Sequence, residues 1–133
     1  MNAQAAEPIT ALRVFVVEDS PLVLERIEAM LTSIGAQPAG HAAKASEAIH
    51  AVLAAHPDAV VLDLKLAEGS GFDVLRAVHE QAPDIEIFML SNFASEPYRR
   101  LAERLGAAHF FDKSTEFERV REALAERAAR PVH

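Results

Sequence analysis

Apolar positions along the chain follow two alternating rhythms, short unbroken runs and longer stretches at helical spacing. Val14, Phe15, Val16 and Val17 form the first run and predict a strand from about Arg13 to Val17. Ser20–Pro21 follows as an N-cap and a first helical residue. Val23, Ile27, Met30, Leu31 and Ile34 then recur at helical spacing, and Gly35 ends that helix. A weaker strand is predicted from about Gln37 to His41. Ser46–Glu47 starts a second helix, which carries Ile49, Val52 and Leu53 and closes at Pro57. The third strand runs from Ala59 to Leu62 and ends in Asp63. Its lack of polar residues marks burial on both faces, as in a parallel sheet. The loop Lys65 to Ser70, with its turn-rich Glu68–Gly71 stretch, leads to a third helix marked by Phe72, Leu75 and Val78 and stopped by Pro83. Ile85 to Leu90 gives a fourth strand ending at Ser91. Pro97 opens a fourth helix with Tyr98, Leu101 and Leu105 facing inward and Gly106 at its end. His109 to Phe111 is the fifth strand. Thr115 and Glu118 read as a capping box for a last helix whose buried stripe is Phe117, Val120 and Leu124.

Five such βα units imply right-handed crossovers and a parallel sheet covered on both faces. The predicted fold is a doubly wound, flavodoxin-like α/β domain with strand order 2-1-3-4-5 and five helices. That order is chosen to set strands 1, 3 and 5 side by side at the sheet centre, with their charged ends in the crevice where open α/β sheets bind ligands.

Composition narrows the picture further. A chain of 133 residues, half of them hydrophobic, fits one domain with a sizeable core. The expected division is a loose tail over residues 1–10, the domain over 11–129 and a second tail over 130–133, where Pro131 blocks the last helix. No apolar run approaches the roughly 20 residues needed to span a bilayer, and Met1 to Thr10 does not resemble a secretory signal. No membrane insertion is expected. The net charge of −7 argues against direct nucleic-acid binding. The absence of cysteine removes disulfides and thiolate chemistry and is compatible with a cytoplasmic protein. The six histidines fall singly, as surface or half-buried residues.

Charge matters most where strands end. Glu18–Asp19 follows the first strand, Asp63 the third, and Lys113 the fifth. Carboxylates converging at one sheet edge repel one another, and a hard divalent cation relieves this. An all-oxygen donor set suits Mg²⁺ better than zinc. Lys113 and the hydroxyl of Ser91 can meet anionic oxygens, so the whole set suits a phosphoryl group. Asp63 is the candidate nucleophile, since carboxylates can form acyl phosphates. Taken alone, Glu18–Asp19 also reads as a polar helix start. Arg99, Arg100 and Arg104 read as the solvated face of the fourth helix.

Four segments in order carry a family resemblance: Val16–Ser20, Val60–Leu64 with Gly69 and Gly71, Met89–Ser91, and Phe110–Lys113. The chain resembles the receiver domain of two-component response regulators over nearly its whole length. The resemblance implies that Asp63 accepts a phosphoryl group from a phosphohistidine of a sensor histidine kinase or a histidine phosphotransfer protein. It implies that Asp19, Asp63 and the backbone carbonyl of Lys65 bind Mg²⁺ directly, with Glu18 acting through water. Ser91 and Lys113 are implied to contact the phosphoryl oxygens, and Phe110 to be the switch aromatic. The output is then a change in the face formed by the fourth helix, fifth strand and fifth helix, presented to a downstream protein. The sequence departs from the family at Ser114, where proline with a cis bond is usual, at Ala67, at Lys65 and at Asn92.

The leading expectation is a single-domain response regulator without separate turnover, beyond promoting its own phosphorylation and dephosphorylation. One alternative is a degenerate receiver that binds partners without phosphorylation. Another is a Mg²⁺-dependent phosphatase with an aspartyl nucleophile. It is disfavoured because Lys65 stands where such enzymes carry a second aspartate. The kinase, the downstream target and the oligomeric state are not encoded legibly.

Overall fold

A computed structural model describes residues 11–130; the expected tail over 1–10 and, of the expected tail over 130–133, residues 131–133 with Pro131 lie outside the described residues. Strands and helices alternate as β1 (Arg13–Val17), α1 (Pro21–Ser33), β2 (Gln37–Ala42), α2 (Ala45–Ala55), β3 (Ala59–Leu62), α3 (Gly71–Gln81), β4 (Glu86–Ser91), α4 (Glu96–Arg104), β5 (His109–Asp112) and α5 (Phe117–Ala129). All neighbouring strands pair in parallel, in the order β2-β1-β3-β4-β5. The expected fold class and strand order are therefore present.

The two-residue period of a strand divides the core into two layers. Val14, Val16, Val61, Phe88 and Leu90 pack with Ile27 and Leu31 of α1 and with Val120 and Leu124 of α5. Phe15, Val17, Val60, Leu62, Ile87 and Met89 face Val52 of α2, Val74, Leu75 and Val78 of α3, and Ala102 of α4. Burying each large aliphatic side chain contributes roughly 1.5–3 kcal/mol. The central strands are held from both sides, and their C-terminal ends are fixed platforms.

Several expectations are corrected. Strands 1, 3 and 5 are not side by side: β4 lies between β3 and β5, and β5 is an edge strand whose residues are only half-buried or exposed. Lys113 must therefore reach across the end of β4. Thr115 does not cap α5. Glu116 occupies the N-cap, its side chain makes no capping bond, and its carboxylate accepts the Asp112 N–H instead. The second helix starts at Ala45 rather than Ser46, because the Ala45 N–H is bonded to the Glu68 carbonyl and Lys44 holds an extended conformation. That helix closes through His56, which adopts a left-handed φ of 46° before Pro57. In α4 the fully buried residue is Ala102, while Tyr98 is 41% exposed and leans on Phe72 and Phe93. Among the described residues no peptide bond is cis, so Lys113–Ser114 is trans.

Candidate functional site

The ends of β1 and β3 are extended past the last strand residue by two further ladder bonds. The Glu18 N–H donates to the Ala42 carbonyl at 3.0 Å, and the Asp63 N–H donates to the Val17 carbonyl at 3.1 Å. Both carboxylates thus stand on backbone that cannot swing. Glu18 is 4% exposed and Asp63 is 6% exposed, while Asp19 faces solvent. Gly71 closes the site from below, donating its N–H to the Leu64 carbonyl. A Cβ at Gly71 would overlap the Asp63 carbonyl oxygen, so only glycine lets α3 start this close to the site.

Lys113 crosses the gap from the β5–α5 turn. Its Nζ donates to Asp63 Oδ2 at 2.7 Å and to Glu18 Oε1 at 3.0 Å. The remaining carboxylate oxygens are also engaged: Asp63 Oδ1 accepts the Leu64 N–H at 2.7 Å, and Glu18 Oε2 accepts the Ser20 N–H at 3.0 Å. Burial raises the Glu18 carboxyl above its ordinary value, against the opposing hydrogen bonds from Lys113 and Ser20. Burial would lower Lys113, but the hydrogen bond and charge of Asp63, followed by those of Glu18, outweigh it and raise the ammonium.

Glu18, Asp19 and Asp63 can each offer an oxygen within 4.8 Å of the others. The cluster thus sets three carboxylates against one ammonium, Lys113, which bonds Glu18 and Asp63, with the exposed Lys65 also lining the site. The surplus of negative charge and the all-oxygen donors fit a hard divalent cation. The open space beside them is a cavity of about 290 Å³, also lined by Asn92 and Phe93.

The remaining expected site residues are placed differently. Ser91 is fully buried and does not line this cavity. Its Oγ accepts the Phe93 N–H at 3.1 Å, and its carbonyl accepts the Lys113 N–H at 2.9 Å. Lys65 pairs through its backbone with Ser70 in an isolated bridge. Phe110 is half-buried against the α2–α3–α4 layer, outside the cavity. Arg99, expected in solvent, is half-buried, with its guanidinium 5.1 Å from the Phe110 ring centre and bonded to the Phe110 carbonyl and to Glu116. Arg100 and Arg104 are exposed as expected. Asn92, noted in the sequence as a departure from the family, lines the cavity, whereas Phe93 as a lining residue and Arg99 as a packed one were not expected. Nothing in the periodicity of the chain marks their backbone contacts.

Among the described residues no helix is long and apolar enough to cross a membrane. A family model described as the response regulator receiver domain matches residues 14–125. The chain is 28% identical over 112 residues to the chemotaxis protein CheY of Thermotoga maritima, covering 84% of this chain and 93% of that protein. It is 33% identical over 104 residues to a protein-glutamate methylesterase/protein-glutamine glutaminase of Archaeoglobus fulgidus, covering 77% of this chain but 30% of that protein. Several such relatives are longer, and the chain spans between 30% and 48% of their length. The receiver domain of the putative response regulator NarL from Mycobacterium tuberculosis superposes with a TM-score of 0.81 at 25% identity, covering 90% of this chain and 98% of that one.

Proposed function

The chain belongs to the response regulator receiver domains of two-component signalling, and on that premise we propose that Asp63 is its phosphoryl acceptor. The observation that carries this reading is the buried Asp63 carboxylate at the end of a central strand, bonded to Lys113 and grouped with Glu18 and Asp19. An Asp63 oxygen attacks the phosphorus of a phosphohistidine on a sensor kinase or phosphotransfer protein. The O–P bond forms as the P–N bond breaks, and the bonding pair leaves on the imidazole nitrogen, which takes a proton. Lys113, already charged and within reach, follows its Asp63 oxygen onto a phosphoryl oxygen.

Mg²⁺ fits the donor set. Asp19, Asp63 and the Lys65 carbonyl would hold it directly and Glu18 through water, and it would neutralise charge on the phosphoryl oxygens. Ser91 contributes its hydroxyl, whose oxygen accepts from Phe93 while its proton stays available for a phosphoryl oxygen. Drawing Ser91 toward the phosphoryl group opens space for the half-buried Phe110. That biases the α4–β5–α5 face between two pre-existing states, which a downstream protein reads. We infer a single-domain, cytoplasmic regulator that works through such contacts without separate turnover; the match over 93% of the length of CheY supports the single-domain reading.

Incubation with acetyl phosphate and Mg²⁺ is expected to give an acid-stable, base-labile phosphoprotein that Asp63→Asn does not form. Absence of modification by acetyl phosphate and by a histidine-kinase donor would overturn the assignment. Sustained phosphate release from small phosphomonoesters would point instead to a phosphatase.

A further inference from the structure

Lys113 carries its charge on a long, rotatable stem, so its reach is set by the backbone that holds it. Ser114 leaves the β5–α5 turn without the fixed φ of a proline. Hydrogen bonds define this turn instead. Asp112 Oδ1 accepts the Ser114 N–H at 2.9 Å and the Ser114 hydroxyl at 2.7 Å. Glu116 Oε1 accepts the Asp112 N–H at 2.8 Å, and the Glu116 N–H donates to the Asp112 carbonyl at 2.7 Å. Both neighbours of Lys113 are thereby pinned.

One side chain from another helix completes the knot. Arg99 of α4 donates from Nε to the Ala94 carbonyl at 2.7 Å, and from its two terminal nitrogens to the Phe110 carbonyl at 3.0 Å and Glu116 Oε1 at 3.1 Å. A solvated surface pair would not use all three arms of a guanidinium on three separate segments. Here the β4–α4 loop, β5 and the start of α5 meet on one residue. The Glu116 carboxyl is held below the usual range, first by the Asp112 N–H and then by Arg99. Asp112 is held low by the Ser114 hydroxyl. Both acceptors are therefore charged at neutral pH.

We propose that Arg99 and Glu116 are positioning residues for Lys113: they clamp the β5–α5 turn so that its ammonium meets Asp63 Oδ2, and they tie that turn to α4. The proposal rests on the reading of Asp63 and Lys113 given above. Its consequence is that a partner displacing α4 changes the phosphorylation rate through this pair, and that phosphorylation is felt at α4 by the same route.

The test uses the full chain with Arg99→Ala, Arg99→Lys, Glu116→Ala and Glu116→Gln, and with Asp63→Asn as reference. Acetyl phosphate is the donor, well below each variant's unfolding midpoint. Misplacing a reacting group by about an ångström can slow a reaction up to 100-fold. Glu116→Ala and Arg99→Ala should lower the maximal phosphorylation rate about tenfold, with little change in the acetyl phosphate concentration giving half that rate. Glu116→Gln, which keeps an acceptor for Asp112, should recover part of the loss. A purely structural role would lower the midpoint and leave the maximal rate at the wild-type level, and that result overturns the proposal. Amide hydrogen exchange reads the clamp without phosphorylation. Lys113 and Asp112 should lose protection in Glu116→Ala while Asp63 keeps it, and unchanged protection overturns the proposal. Wild-type protein that takes no phosphoryl group while exchange still responds to Glu116→Ala marks failure of the Asp63 assignment alone, and supports the clamp.

Discussion

Two cation-centred knots stand side by side at the C-terminal edge of the sheet, and they are built from different chemistry. In one, Lys113 binds Asp63 and Glu18, with all three side chains at most 10% exposed. In the other, Arg99 binds Glu116 and two backbone carbonyls, with its side chain 33% exposed. Lysine offers a compact charge on a flexible stem, which can leave one oxygen for another. Arginine offers a planar fork whose geometry is fixed. The knot built on lysine can exchange partners, as a site for an incoming phosphoryl group requires. The knot built on arginine holds a turn in place. The difference separates what moves from what positions.

The largest effect should come from breaking the lysine knot. Lys113→Ala leaves Glu18 and Asp63 buried without their cation, and removal of one partner from a buried pair costs about 3–5 kcal/mol. Denaturant unfolding should show this loss, and Mg²⁺ should restore more stability to Lys113→Ala than it adds to wild type, since the orphaned carboxylates become a better cation site. The phosphorylation rate should fall about 100-fold or more. Equal Mg²⁺ stabilisation of the two proteins would mean that Lys113 and the cation do not share oxygens, and the contrast with Arg99 would collapse.

A second probe addresses the backbone beneath the lysine knot. Gly71→Ala pushes a methyl group into the Asp63 carbonyl, which is main chain and cannot rotate aside. Overpacking of this kind costs about 1–3 kcal/mol. The same substitution should lower the phosphorylation rate, because Asp63 shifts with its peptide. An unchanged rate with lowered stability would show that the acceptor tolerates displacement, and that positioning matters less than proposed.

Both knots can be compared with what the chain makes visible. β1 and β3 are legible because unbroken apolar runs have few other uses, and Glu18, Asp63 and Lys113 stand out as charges placed directly after such runs. Gly71 is conspicuous within a turn cluster. Arg99 is not, since an arginine on a polar helix face looks the same whether its guanidinium meets water or a carbonyl. Its partners Ala94 and Phe110 contribute main-chain oxygens, which no side-chain pattern reports. Thr115–Glu118 matched a capping pattern, but Glu116 used its carboxylate on the Asp112 N–H and took the cap position itself. The strand order was legible, yet strand 5 was expected at the sheet centre and stands at its edge, because βα alternation alone gives every strand the same appearance.

Replacing the fork by a point charge should have a smaller effect. Arg99→Lys keeps the charge but cannot hold Ala94, Phe110 and Glu116 together. The expected loss is about 1 kcal/mol in denaturant unfolding. A loss as large as that of Lys113→Ala would show that the arginine knot supports the fold generally rather than one turn.

The mildest test distinguishes the knots by acid, without mutation. Glu18 has its carboxyl raised above 4.5 by burial, so the folded protein takes up this proton before the unfolded chain does. Acidification through that range relieves the burden of a buried charge and adds stability at the lysine knot. Glu116 is held below 4.5 by the Asp112 N–H and Arg99, so its contribution is fully present above pH 4.5 and is lost as pH falls through the lower folded value. Each carboxylate accepts one backbone amide that reports on it, Ser20 for Glu18 and Asp112 for Glu116. In Mg²⁺-free buffer the Ser20 amide resonance should shift with a midpoint above pH 4.5, and that of Asp112 with a midpoint below it. Coincident midpoints would mean that the two carboxylates share one environment, and reversed midpoints that burial does not govern Glu18 nor the Asp112 N–H and Arg99 govern Glu116. At the alkaline end the order of loss is set by Lys113 alone. Its folded value lies above 10.5, so its contribution is complete below pH 10.5 and disappears only as pH rises past the folded value. Acid should therefore loosen the clamp and alkali the site, and the two should fail at opposite ends of the pH scale.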